Sequence, residues 1–224
     1  MGLCVVFDVD DTLYLEADYV RSGLQAVDTW VRSSRALSGL GGAAWRQFLA
    51  GHRGDIFDRA LVELDGRADP GLVREMVQVY REHRPNIVLL DDALACLEVL
   101  RTRVYLGVVT DGPLASQRSK CEALGLNRWC DRVIATAALG PGLGKPHPKA
   151  FLLVQDGAGC AGADCLYVGD NPAKDFVGPR SLGWRTVRVR RRGGLHFNVG
   201  SGPDVDMEMP DLAALPGHVL GRLG

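Results

Sequence analysis

The feature that most restricts how this chain folds is a spacing. Five short apolar, β-branched runs recur along it: Leu3 to Phe7, Val104 to Thr110, Arg132 to Thr136, Cys165 to Gly169 and Trp184 to Val189. Each is followed by turn residues and then by a helical pattern, read at 113–124, 148–156, 175–182 and 211–220. Strands alternating with helices build a parallel sheet covered on both faces, so the expected fold is α/β, a Rossmann-like parallel sheet sandwiched by helices. The first two runs lie about ninety residues apart, whereas a parallel crossover needs only about a dozen. The excess is an insert, and its pattern is helical. Val20, Leu24, Val27 and Val31 recur at helical spacing, and Leu72, Met76 and Val79 follow Pro70. Glycine-bearing loops at Ser38 to Gly42 and Gly51 to Gly54 set off two more helices, Ala43 to Ala50 and Asp55 to Leu64. Residues 1–15 and 91–224 are therefore expected to form an α/β catalytic core, and 16–90 an inserted all-helical cap domain. Linkers around Tyr14 to Glu16 and Pro85 to Asp91 would let the cap move as a lid.

Charge narrows the partners. Lys and Arg total 26 against 27 Asp and Glu, a net charge of -1, so no global positive field favours nucleic acid or an anionic membrane. The run Arg185 to Arg192 alternates Arg with apolar residues or Thr before turning wholly basic, the pattern of a strand with one solvated face. It lacks the interleaved aromatics that would stack bases. The apolar run before Asp8 is too short for a signal sequence or a spanning helix, so a cytoplasmic protein is expected. Six cysteines without a CxxC pair read as buried free thiols in a reducing compartment. Trp30, Trp45, Trp129 and Trp184 read as core anchors, and His83, His196 and His218 as surface residues.

In open parallel sheets, reactive groups gather at the carboxyl ends of the strands. The first strand ends in Asp8-Val9-Asp10-Asp11-Thr12 and the second in Thr110-Asp111-Gly112. A loop carries Lys145-Pro146-His147-Pro148, and the fourth strand ends in Gly169-Asp170-Asn171-Pro172 with Asp175 beyond. Asp8 and Asp170 supply the few hard oxygens that Mg²⁺ accepts while it keeps waters and a substrate phosphate. A carboxylate can also be a nucleophile, and Asp8 is the natural choice. Asp10, two residues on, lies on the same side of an extended chain and is placed to act as general acid and then base. The Thr110 hydroxyl and the amides of Asp111 and Gly112 can hold phosphoryl oxygens, with Lys145 neutralising their charge. Asp175 is divided between a helix cap and the site. Tyr14 and Glu16 border the entrance, and His52 and Arg53 in the insert are candidates to touch substrate.

The order DxDxT, Thr-Asp-Gly, Lys-Pro and Gly-Asp-Asn-Pro with a later Asp resembles the haloacid dehalogenase-like superfamily, in particular its Mg²⁺-dependent phosphatases with a helical cap. The resemblance implies Asp8 as nucleophile and metal ligand, Asp10 as acid/base and, through its carbonyl, a metal ligand, and Asp170 as a metal ligand. It also implies Thr110 and Lys145 as phosphate binders and Asp175 as an outer carboxylate. Asp11 stands where many members have Gly, and His147 where Asp is frequent. Asp10 argues against dehalogenation, which has no leaving alcohol to protonate. The absence of Lys from 16–90 argues against a Schiff-base branch. The implied activity is hydrolysis of a small phosphorylated metabolite, such as a sugar or sugar-acid phosphate, through an aspartyl-phosphate, by a monomer or homodimer. A phosphosugar mutase and a non-catalytic phosphate-binding regulatory module are the alternatives.

Overall fold

The structure is a computed structural model that describes residues 2–221. The chain divides into two compact units, one of residues 1–17 with 88–224 and one of residues 18–87. The larger unit is built on six parallel strands: β1 (Cys4–Phe7), β2 (Tyr105–Thr110), β3 (Arg132–Ala135), β4 (Cys165–Gly169), β5 (Arg185–Val189) and β6 (Met207–Met209). Their order is β3-β2-β1-β4-β5-β6. The order reverses between β1 and β4, and such switch points open a crevice outside the strand ends.

β1 reads Cys-Val-Val-Phe, and all four side chains are buried. Period-two alternation sends Cys4 and Val6 to one face and Val5 and Phe7 to the other, so a continuous apolar run is what a strand covered on both faces requires. On one face Cys4, Val6, Val109, Cys165 and Tyr167 pack with Phe151 and Val154 and with Phe176 and Trp184. Each Val or Phe removed from water there contributes about 1.5–3 kcal/mol.

In chain order the helices are α1 (Glu16–Arg35), α2 (Leu40–Leu49), α3 (Ile56–Asp65), α4 (Pro70–Glu82), α5 (Asp91–Leu100), α6 (Leu114–Ala123), α7 (Lys149–Ala158), α8 (Val177–Ser181) and α9 (Leu215–Leu220). α6 and α7 stop at Gly125 and Gly159, with φ +64° and +63°, a conformation that glycine adopts without a Cβ penalty. α5, which the sequence pattern does not single out, packs on α9.

The smaller unit is helical. Its apolar interior comes from Val20, Leu24, Val27 and Val31 of α1, Leu40 and Phe48 of α2, Phe57 and Leu61 of α3, and Met76 of α4. Asp69 caps α4 by accepting from Gly71 N at 2.7 Å, with Pro70 in the first turn.

Several expectations are corrected. β6, only Met-Glu-Met, lies against β5 and is too short and too poor in β-branched residues to read as a strand. The closing helix starts at Leu215, not Asp211, because Pro216 fits a helix only in its first turn. The basic run is not a solvated face. Arg188 and Arg191 are buried, whereas Arg185 and Arg192 are exposed. Arg188 donates to Asp170 O, Val199 O, His196 O and Ser201 Oγ at 2.7–3.0 Å. His83 is buried, its ring 4.9 Å from that of Tyr19. Of the tryptophans only Trp184 is fully buried; Trp30, Trp45 and Trp129 are half-buried beneath Arg35, Arg21 and Arg101. All six cysteines are free thiols. Among the described residues no helix is long and apolar enough to cross a membrane.

Candidate active site

Asp8 directly follows β1, and its amide donates to Val168 O of β4 at 2.8 Å. That bond continues the β1–β4 register, in which Phe7 faces Val168, so Asp8 and Asp170 emerge side by side at the switch point. Asp8, Asp170 and Asp175 are all buried, and one oxygen of each lies within 4.8 Å of the others. Lys145 enters this group from the loop before α7. Its Nζ donates to Asp8 Oδ1 at 2.6 Å, Asp175 Oδ1 at 2.7 Å and the Tyr167 hydroxyl at 3.1 Å.

Asp175 belongs to the site, not to a helix end. Its second oxygen accepts the amides of Asp170 and Asn171 at 3.2 and 2.8 Å. Gly169 makes this possible, because a Cβ there would stand 2.6 Å from Asp175 Oδ2. With both Asp175 oxygens engaged, the donor atoms left over are the second oxygen of Asp8 and the carboxylate of Asp170.

The electrostatics follow from burial. Desolvation, with Asp8 and Asp175 adjacent, pushes the Asp170 carboxyl up to about 10. Desolvation also pushes Asp8 up to about 6, against the pull of Lys145. Burial alone would lower Lys145, but Asp175 and Asp8 hold its ammonium well above the usual lysine range. Three buried carboxylates facing one ammonium make a cluster that a divalent cation with oxygen preference would complete, so this donor set fits Mg²⁺.

The loop after Asp8 is tied down by its own carboxylates. Asp11 has φ +53°, a region where Asp is tolerated better than most residues. It accepts from Glu16 N at 2.8 Å and Leu195 N at 2.7 Å. Arg191 forks between Thr12 O, at 2.9 and 2.8 Å, and the Asp92 carboxylate, at 3.1 and 2.7 Å.

Asp10 is turned to α6. Its Oδ1 accepts from Lys120 Nζ at 2.7 Å and from the Tyr14 hydroxyl, and its Oδ2 from Gln117 Nε2 at 3.3 Å. Burial would raise its carboxyl, yet Lys120 and these hydrogen bonds outweigh burial and hold it below the ordinary range. Tyr14 is therefore a buried partner of Asp10, with 1% of its surface exposed, and not an entrance residue. Glu16 is half-buried at the start of α1, and burial near Asp10 pushes its carboxyl up to about 7. The Thr110 hydroxyl is buried and donates to Gln117 Oε1 at 2.8 Å. Asp111 accepts from Lys145 N at 3.2 Å and from the Thr136 hydroxyl. Gly112 follows with φ +145°. His52 and Arg53 lie in the smaller unit, where Arg53 donates to Phe48 O at 2.8 Å and sits 4.2 Å from the Phe48 ring centre.

Lys120, Gln117 and Tyr167 escaped the sequence reading. A signal was present for Lys120. The chain uses Arg almost throughout and has four lysines, Lys120, Lys145, Lys149 and Lys174. Two of the four hold carboxylates of the crevice.

A 3-2-1-4-5-6 parallel sheet with carboxylates from two strand ends at its switch point defines a doubly wound α/β protein with an acidic, lysine-bearing centre. The model of the haloacid dehalogenase-like hydrolases matches residues 3–183, and the chain belongs to that family. It is 28% identical over 196 residues to the glyceraldehyde 3-phosphate phosphatase of Methanocaldococcus jannaschii, covering 83% of both chains. It is 35% identical over 173 residues to the phosphoserine phosphatase of Thermus thermophilus, covering 76% of this chain and 65% of that protein. Among solved structures, a HAD-hydrolase of Bacillus subtilis bound to magnesium aligns with a TM-score of 0.69 at 19% identity, over 97% of this chain and 98% of that one. That likeness is one of fold.

Proposed function

We propose that the chain is a Mg²⁺-dependent phosphatase acting on a small phosphate monoester, with Asp8 as nucleophile. The observation that carries this reading is the buried group of Asp8, Asp170, Asp175 and Lys145 at the switch point. The phosphatase names of its relatives support it, and in this reading the helical insert serves as a cap that helps choose the substrate.

Asp8 and Asp170 would hold the cation, which when bound shields the phosphoryl charge from the attacking carboxylate. Lys145 keeps Asp8 ionised and oriented, so an Asp8 oxygen attacks phosphorus and the P–O bond to the alcohol breaks. Asp10, ionised while Lys120, Tyr14 and Gln117 hold it, takes up a proton from solvent once it leaves them. It gives that proton to the departing alkoxide, and then, as the carboxylate, takes a proton from the water that opens the phosphoaspartate. Thr110 and the amides of Asp111 and Gly112 would hold the phosphoryl oxygens. Asp175 positions Lys145 and the Asp170 backbone.

The test is hydrolysis of p-nitrophenyl phosphate with Mg²⁺ and with EDTA, for the native chain and for Asp8→Asn. Turnover that requires the metal and falls by about a thousandfold or more in the variant is expected. Metal-independent turnover, or an active Asp8→Asn, contradicts the reading.

A further inference from the structure

The phosphate-binding and acid/base halves of the crevice are joined by one side chain, Gln117. It is 3% exposed, accepts the Thr110 hydroxyl on Oε1 at 2.8 Å and donates from Nε2 to Asp10 Oδ2 at 3.3 Å. The orientation of its amide is fixed by chemistry, because an ionised carboxylate accepts only and must face the NH₂ group. The amide lies against Gly112, where a Cβ would stand 2.6 Å from Nε2. Lys120, three residues on and so on the same face of α6, donates to the other Asp10 oxygen at 2.7 Å, and the Tyr14 hydroxyl donates to that same oxygen. In this arrangement both oxygens of Asp10 are engaged by Gln117, Lys120 and Tyr14.

A hydroxyl has one hydrogen. If Thr110 gives it to a phosphoryl oxygen, Gln117 Oε1 loses a buried partner, and a buried acceptor left without one is unfavourable. We propose that Gln117 is a positioning residue that couples phosphate arrival at Thr110 to release of Asp10 from its α6 anchorage, so that the acid/base carboxylate turns toward substrate only when the phosphate site is filled. This rests on the phosphatase reading above for the roles of Thr110 and Asp10.

The experiment has two arms. In the first, kcat/KM is measured with p-nitrophenyl phosphate, whose leaving group needs little protonation, and with an alkyl phosphate, which needs the acid. Gln117→Leu is expected to lower kcat/KM for the alkyl ester by about tenfold or more and for the aryl ester by about threefold or less. Equal losses for both esters, or none, overturn the proposal, and loss of folding is checked by circular dichroism. Should Leu unfold the protein, Gln117→Glu, which keeps the acceptor for Thr110 but loses the donor to Asp10, takes its place with the same expectation. In the second arm, inorganic phosphate is titrated with Mg²⁺ while the Gln117 side-chain amide and the Gly112 backbone amide are followed by NMR. Both resonances are expected to shift together, and in Thr110→Val the Gln117 shift is expected to vanish while the Gly112 shift remains. A Gly112 shift without a Gln117 shift, or no shift at either, overturns the coupling. Joint shifts in a protein that turns over neither ester would support the coupling and remove the phosphatase reading.

Discussion

Asp170 carries the charge that this fold tolerates least on its own. Burial beside Asp8 and Asp175 moves it from an ordinary 3.8 to about 10, so the folded metal-free protein holds a proton that the unfolded chain releases. The sign of the linkage follows: the contribution of this group to stability without metal is largest at acid pH and is lost as pH rises from about 4 toward about 10. A cation bound there replaces that proton. Mg²⁺ binding at pH 8 is therefore expected to release close to one proton, read from calorimetry in buffers of different ionisation enthalpy, and to raise Tm more at pH 8 than at pH 5. A binding enthalpy independent of buffer would contradict this. Asp8, Asp10, Lys145 and Asp170 were legible because each sits in a short motif at a strand end. Lys120 and Gln117 were not, because α6 is a polar helix with no apolar stripe to mark its buried side, and only tertiary packing brings these residues, 110 and 107 positions along the chain, to Asp10.

At the scale of elements, two positions show how strands and loops carry the site. Gly169 ends β4 where Asp175 needs room, and Asp175 cannot retreat because Lys145, Asp170 and Asn171 hold it. Gly169→Ala is expected to cost about 1–3 kcal/mol and to weaken Mg²⁺ binding by about tenfold or more, measured by thermal denaturation and calorimetry; normal metal affinity would sink the argument. Arg188 on β5 ties Asp170 O to Val199, His196 and Ser201. Arg188→Met leaves those acceptors without their donor and is expected to lose about 3 kcal/mol in urea denaturation. A loss below about 1 kcal/mol would mean that water replaces the guanidinium. Five of the six strands were legible to within a residue, since an apolar β-branched run bounded by turns has few other readings, and the three-residue β6 was not. The fate of the arginines was not. An Arg alternating with Val and Thr reads as a solvated strand face, and only the non-local addition of β6 and of the 194–201 loop, which supplies carbonyls, makes burial affordable.

For the molecule as a whole, the doubly wound sheet and helical insert were readable from periodicity, but strand order was not, because it depends on pairings more than a hundred residues apart such as Phe7 with Val108 and Val168. All six cysteines are free, so Tm is expected to be the same with and without a reducing agent, and a drop on reduction would reveal a disulfide that the fold does not contain. The central claim is that Asp8 attacks phosphorus. It is tested most directly by quenching the Asp10→Asn variant with acid during turnover of p-nitrophenyl phosphate and mapping the phosphoryl group by mass spectrometry. The account predicts a base-labile phosphoryl group on the peptide carrying Asp8, absent when Asp8 is also changed to Asn. Steady turnover with no phosphoryl group on that peptide, or one on any other residue, would contradict it.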